Sequence, residues 1–314
     1  MWWLTVASLA AGCSDTGPDV APADGKKEQT ARITATLDVP GNLENEDIAE
    51  ASGLAASRRR DDLLWTHNDS GAKARLYALG LAGESLGRAR IRKVDNKDWE
   101  DIASFVLDDT PYLLVADTGD NDAKRDTVKL YVVEEPDLDE DNKPELETAW
   151  EIELRYPAGP RDVEAVAVDS ENERVLLLTK RTIPAELYAV PLRPAADEVV
   201  TAEFLGRLDT LPQPSRSDIV FAPKTDDWFW QPTGMDIASD GSAIAIVTYH
   251  PAVYLYLRDG DWLSTLQKPP LRLTLRRLPK PESVAFGTDN QSLFVTVEKI
   301  HGPLLRIDLP RESE

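Results

Sequence analysis

The chain has 314 residues, a formal net charge of −21 and one cysteine, with 42% of residues hydrophobic and 29% charged. The acidic balance excludes the basic face that a nucleic-acid partner needs, and it disfavours direct contact with an anionic membrane surface. The lone cysteine, Cys13, excludes an intramolecular disulfide.

Residues 1–12 are apolar and end in small residues just before Cys13. This stretch resembles the end of a bacterial lipoprotein signal peptide, whose cysteine becomes lipidated after cleavage. It is too short to span a bilayer as a helix. It lacks a basic start, which on this reading lies upstream of Met1. The resemblance implies a signal peptide over 1–12, lipidation at Cys13 and a protein held on the periplasmic or extracellular side of the cell envelope. Residues 14–31, rich in Asp, Pro, Gly, Lys and Ala, read as a flexible tether that runs on from Cys13. A single domain is expected over 32–310.

Within that domain one pattern recurs five times. A small polar or acidic residue opens a short apolar run in Glu-Ala-Ser-Gly-Leu-Ala (50–55), Trp-Glu-Asp-Ile-Ala (99–103) and Asp-Val-Glu-Ala-Val-Ala (162–167). It recurs in Pro-Thr-Gly-Met-Asp-Ile-Ala (232–238) and Pro-Glu-Ser-Val-Ala-Phe (281–286). The aligned anchors are Ser52, Glu100, Glu164, Thr233 and Glu282, spaced by 48, 64, 69 and 49 residues. A second apolar run follows each: Leu63–His67, Tyr112–Ala116, Val175–Thr179, Ala243–Thr248 and Ser292–Val297. A third follows at Arg75–Leu79, Val128–Val133, Glu186–Val190, Val253–Leu257 and Leu304–Leu309. Four units add a fourth run: Ser85–Val94, Thr148–Tyr156, Thr201–Leu208 and Leu271–Arg276. The fifth unit has none, but Arg32–Val39 supplies a spare strand at the other end of the chain. Short β-branched and aromatic runs at this period predict an all-β propeller of five four-stranded blades, closed by the N-terminal strand. A sixth, irregular blade in 209–231 is the alternative.

Antiparallel neighbours assign the loops to two faces. The first-to-second turns Asp169–Glu173, Ser239–Gly241 and Gly287–Gln291 are short and polar, as turn chemistry requires. In the long connection Glu134–Glu147, Asp137, Asp139 and Asp141 imitate the start of a calcium loop. Asn142 and Thr148 stand where that loop needs Gly and Glu, so it is rejected. The opposite face gathers the anchors and the second-to-third connections. These hold Thr66-His67-Asn68-Asp69-Ser70-Gly71, Asp117-Thr118-Gly119-Asp120-Asn121-Asp122, Lys180-Arg181-Thr182, Tyr249-His250 and Glu298-Lys299-Ile300-His301. Inner strands line a propeller's channel, so three carboxylates and two hydroxyls are expected around the axis. Clustered carboxylates are relieved by protonation, by a cation such as Lys180, or by a metal. Oxygen-only ligands suit calcium first and magnesium second. The competing expectation is that the anchors bond to backbone N–H groups of neighbouring blades and fasten the ring. The connection 209–231, with Pro212, Pro214, Pro223 and Asp226-Asp227-Trp228-Phe229-Trp230, lands on the same face. It reads as a lid or stacking surface, or as an excursion pinned by its aromatics.

The order Ser, Glu, Glu, hydroxyl, Glu resembles the calcium-activated nucleotidase (apyrase) family of five-bladed propellers. That resemblance implies an axial calcium held by Ser52, Glu100, Glu164, Thr233 and Glu282, the fourth with Thr in place of Ser. It aligns His67-Asn68-Asp69 with an acidic Asp-Asp-Arg-type turn and Lys180-Arg181 with a basic Arg-Arg turn. The chain also resembles uncharacterised bacterial propeller lipoproteins with Trp-Glu-Asp-Ile-Ala and Gly-Asp-Asn patches. More loosely it is similar to gluconolactonase, strictosidine-synthase and phytase-like propellers.

Two functional expectations result. As a metal-dependent hydrolase of an anionic ester, phosphoester or lactone, the protein would use His67 or His250 as base. Asp69, Asp117 and Asp120 would hold a second ion or orient water. Asn68, Asn121, Lys180, Arg181 and Lys299 would bind the substrate, the cations by clamping its charge. As a non-catalytic module, the same face would hold a glycan, peptide or protein over a structural calcium. Three scattered histidines disfavour zinc. A monomer is expected in either case.

Overall fold

The computed structural model describes residues 36–138, 144–196, 198–212, 230–275 and 280–309. The signal peptide, Cys13, the tether and the first four residues of the expected closing strand lie outside the described residues. So do Asp139, Asp141, Asn142, Arg276 and all of 213–229, including Pro214, Pro223 and Asp226-Asp227-Trp228-Phe229. No helix among the described residues is long and apolar enough to cross a membrane.

The described chain forms five sheets, one per predicted unit. Strand β1 (Thr36–Asn42) stands apart from its sequence neighbours. Blade one is β2 (Ala51–Ala56), β3 (Leu63–Asn68), β4 (Arg75–Gly80) and β5 (Ser85–Ile91). Blade two is β6 (Trp99–Leu107), β7 (Thr110–Asp117) and β8 (Val128–Glu134), then, beyond the short β9 (Glu145–Leu146), β10 (Trp150–Arg155). Blade three is β11 (Val163–Asp169), β12 (Arg174–Thr179) and β13 (Ala185–Pro191), then, beyond the short β14 (Val199–Thr201), β15 (Glu203–Leu208). Blade four is β16 (Pro232–Ile237), β17 (Ala243–Thr248), β18 (Ala252–Leu257) and β19 (Leu271–Thr274). Blade five is β20 (Pro281–Phe286), β21 (Ser292–Val297) and β22 (Pro303–Asp308). Its fourth strand is β1, which pairs antiparallel with β22 from Thr36↔Asp308 to Asn42↔Pro303. The ring therefore closes through the N-terminal strand as five blades, and no sixth sheet occurs among the described residues.

Blade-to-blade packing explains the composition of the second strands. In β12, Val175 and Leu177 pack toward blade two, while Leu176 and Leu178 pack toward blade four. In β7, Leu113 and Val115 face blade one, and Leu114 and Ala116 face blade three. A strand buried on both faces reads as an unbroken apolar run, whereas a half-exposed one alternates. Five interblade cores result, and the fifth joins Phe294 and Leu304 of blade five to Leu54 and Leu64 of blade one.

Sequence reading missed three features. The outer edges of blades one and two each gain a short parallel strand from the following blade, β9 on β5 and β14 on β10. Two or three paired residues leave no periodic signal, but they cover edges that would otherwise be open. The expected run Thr201–Leu208 is split, because the Ala202 N–H turns away to Arg155 O at 2.9 Å. Between β18 and β19 lies the short helix α1 (Trp262–Leu266), capped by Asp261, whose carboxylate accepts from Ser264 N at 2.9 Å.

Candidate functional site

Each inner strand carries one extra residue relative to its partner, and in every blade that residue is the anchor. The register slips between Ala51 and Gly53, Trp99 and Asp101, Val163 and Ala165, Pro232 and Gly234, and Pro281 and Ser283. A β-bulge re-aims the residue it inserts. Five bulges at equivalent positions thus present Ser52, Glu100, Glu164, Thr233 and Glu282 at one end of the inner strands. The ladder pairs at the bulges end on Asn68, Asp117, Thr179, Thr248 and Val297 of the second strands. The next residues, Asp69, Thr118, Lys180, Tyr249 and Glu298, form a second set above the anchors. Four of these join Ser52, Glu100, Glu164, Glu282, Asn121 and Arg181 in lining an axial cavity of about 150 Å³.

The five anchors divide by chemistry. Glu100, Glu164 and Glu282 are buried with their carboxylates on the cavity. The Ser52 hydroxyl donates to Glu100 O and that of Thr233 to Pro281 O, both at 2.9 Å. These two hydroxyls fasten blade one to two and blade four to five, and Thr233 does not line the cavity. Backbone N–H groups of neighbouring blades are taken by other residues. Asp101 accepts from Val166 N of blade three at 2.8 Å and Met235 N of blade four at 3.2 Å. Asp236 accepts from Phe286 N of blade five at 2.8 Å. The expected fastening role therefore belongs to Asp101 and Asp236, one and three residues beyond their anchors.

Lys180 stands among the carboxylates. Its ammonium bonds Glu164 Oε2 and lies 3.1 Å from the Tyr249 hydroxyl. Burial works against its charge, but Glu164, Tyr249, Glu282 and Glu100 around it outweigh that and hold it protonated. Burial, with the negative charges of Glu164 and Asp69 adding to it, pushes Glu100 well above the usual carboxylate range. Burial likewise raises Glu282, and it lifts Glu164 to about 7 against the pull of Lys180. Asp69, half-buried, is pushed up to about 6 by burial, against the Ser70 N–H, with Asp98, Glu298 and Glu50 adding to the rise. Two groups of carboxylates come within 4.8 Å of one another, Asp69–Asp98–Glu100 and Glu100–Asp162–Glu164, and either could hold a metal.

Other expected site residues are placed elsewhere. His67 is fully buried between blades one and two, edge-on to Trp99 with centroids 5.6 Å apart, and burial lowers it to about 4. It sits at a bulge-flanking pair on β3, so its side chain enters the interblade core and does not reach the cavity. Its neighbour Asn68 accepts from Glu50 N and donates to Asp47 O, holding the loop that enters β2. His250 stacks on Trp230 at 4.1 Å and meets Arg272, outside the lining of the cavity; burial lowers it. Asp117 is fully buried and paired with Arg125 at 2.7 Å. Asp120 accepts from Lys124 N and Arg125 N, both at 2.8 Å, and so closes its own loop. Lys299 is exposed and does not line the cavity. Asn121, Lys180, Arg181 and Asp69 are the expected residues that converge there.

Asp98, Asp162, Tyr249 and Glu298 were not singled out by the sequence. A signal existed for the first two. Asp98 and Asp162 stand two residues before Glu100 and Glu164, a shared Asp-x-Glu spacing that places two carboxylates together where each inner strand begins. Asp162 accepts from Arg181 Nε at 2.5 Å and from Asp120 N at 2.8 Å.

No family model matches the chain, and no curated protein matches its sequence. Among solved structures it is similar to the PQQ-bound aldose sugar dehydrogenase of Streptomyces coelicolor. Identity is 10% and the TM-score 0.50, over 88% of this chain and 98% of that one. The WD40 repeats of RRP9 align at 12% identity and a TM-score of 0.42, over 83% and 67% of the two chains. At such identity the first likeness shows the propeller fold alone.

Proposed function

We propose that the axial mouth binds a hard divalent cation, calcium first and magnesium second, and uses it to take an anionic ligand. Glu100 carries this reading. It is 5% exposed and lines the cavity, yet no donor among the described residues bonds its carboxylate. A buried carboxylate without a donor is costly unless it is protonated or meets a cation. Five acidic residues and two basic ones line the cavity, so positive charge is the scarcer component. The oxygen-only donor set matches calcium and magnesium, as does the resemblance of the anchors to calcium-activated nucleotidases.

The ligand chemistry is an ester or phosphoester anion. A bound cation polarises such an oxygen, while Arg181, with 26% of its side chain exposed, offers positive charge at the rim. Asp69 replaces the two histidines as the group placed to hold a cation and orient its water, because it is the half-buried carboxylate on the same cavity. A non-catalytic module holding a glycan, peptide or protein over a structural calcium is the second reading. It is favoured by the commitment of Lys180 to Glu164 and by the absence of imidazole from the cavity lining.

Calcium should raise the melting temperature of the wild type and leave Glu100→Gln unmoved. A panel of nucleotides, phosphoesters and lactones then separates the readings. Turnover that needs both calcium and Asp69 supports the hydrolase; ligand binding without turnover supports the module. No calcium response in the wild type ends both. We further propose a monomer tethered at Cys13 to the cell envelope, which Cys13→Ser should release from the membrane fraction.

A further inference from the structure

The geometry points to an off-axis cation site formed by Asp69, Asp98 and Glu100, with Lys180 as the residue that keeps the cation from the axis. This inference rests on the proposed cation-dependent mouth and names where in that mouth the ion sits.

Two carboxylate triads share Glu100. They differ in what already neutralises them. In the triad with Asp162 and Glu164, the Lys180 ammonium bonds Glu164 and the Arg181 guanidinium bonds Asp162 at 2.5 Å. Asp162 also accepts from Asp120 N at 2.8 Å. Two tethered cations thus face three carboxylates, and a divalent ion there would meet like charge on both sides. The triad of Asp69, Asp98 and Glu100 has no lysine or arginine in an ion pair with any of its members among the described residues. Among the described residues the Asp69 carboxylate accepts only from Ser70 N, and Arg125, whose charge is felt by Asp98, is paired with Asp117. Glu298 and Glu50 add negative charge from the loops around Asp69. Three carboxylates with no ion-pair partner, on ligand atoms within 4.8 Å of one another, are the arrangement a hard cation relieves.

Gly119 brings the loop backbone directly against two of the three carboxylates. A Cβ on Gly119 would collide with Glu100 Oε1 and lie 2.6 Å from Asp98 Oδ2. A side chain at this position would push both carboxylates out of place where the 117–122 loop crosses them, with Gly119 N bonding Asp98 O at 3.1 Å. The Lys180 ammonium stands in the cavity that Glu100, Glu164 and Glu282 line, bonded to Glu164 and 3.1 Å from the Tyr249 hydroxyl. Lys180 is therefore a positioning residue. It substitutes for an ion on the axis and leaves Glu282 outside the ligand set.

Calorimetric titration of the full chain with calcium chloride tests this. Asp98→Asn should weaken calcium binding by about tenfold or more, and Glu282→Gln by less than about threefold. Lys180→Gln should tighten binding and make it sensitive to Glu282, because the axis then opens to the ion. Circular dichroism of each variant confirms folding, and Asp98→Asn is an isosteric change that leaves Lys180 in place. If wild-type binding depends on Glu282 as strongly as on Asp98, or Lys180→Gln weakens it, the off-axis site is wrong while the cation-dependent mouth stands. If the wild type does not bind calcium, the mouth reading fails as well.

Discussion

Asp101 ties three blades together across the axis, and its removal should be among the most damaging single changes in the fold. The side chain is fully buried. It accepts from its own strand at Ile102 N (2.9 Å), from blade three at Val166 N (2.8 Å) and from blade four at Met235 N (3.2 Å). Asp101→Ala would orphan the two interblade donors in a site closed to solvent. An unpaired buried N–H costs about 1–3 kcal/mol, so the loss is roughly 2–6 kcal/mol, centred near 4. Asp101→Asn should recover only part of it. Its amide oxygen accepts on one side, but its NH₂ meets an N–H donor on the other. Urea denaturation of the wild type and both variants gives the difference, provided the slope with denaturant is unchanged. The exposed Asp62, paired among the described residues with Arg60 alone, is the control, and Asp62→Ala should leave the midpoint where it was. A loss below about 1 kcal/mol for Asp101→Ala would refute the view that this carboxylate fastens the ring.

Deleting residues 1–42 removes β1 and leaves β22 as an open edge; the product should aggregate or self-associate on size-exclusion chromatography. Gly119→Ala should lower calcium affinity with little loss of secondary structure, read by calcium titration and circular dichroism, since its Cβ meets Glu100 and Asp98. Asp236 is pushed from 3.8 to about 6 by burial, with Arg58 and two backbone N–H groups opposing the rise. A carboxyl raised on folding stabilises below its unfolded pKa, and that contribution fades as pH rises through the folded value. Stability should therefore fall by roughly 3 kcal/mol between about pH 4 and 6 from this group alone. Asp236→Asn should flatten that part of the profile in denaturation series at several pH values.

The repeat was legible because propeller blades are built from local antiparallel runs. Ala243–Thr248 and Ser292–Val297 carry the full apolar signature of strands buried on both faces, and their ends match β17 and β21. The anchors were legible for the same reason, since a polar residue just before each inner apolar run is a one-dimensional pattern. His67 misled because imidazole suggests proton chemistry wherever it stands. Nothing in Thr-His-Asn states that the ring turns inward to lie against Trp99. Asp101 and Asp236 were read as part of the repeat, yet their partners lie 65, 134 and 50 residues away.

While the choice of five blades over six waited on the sheets themselves, the sequence by itself determined the order of strands and the closing of blade five by the opposite end of the chain. Each depends on contacts between neighbours in the ladder and on periods of two residues. Tertiary structure alone decided which acids are neutralised and which stand unpaired. Glu164 and Glu100 occupy equivalent bulges, but Lys180 reaches only one of them with a hydrogen bond. Charge pairing is set by distances of a few ångströms between strands far apart in the chain, and such distances exist only once the ring has closed.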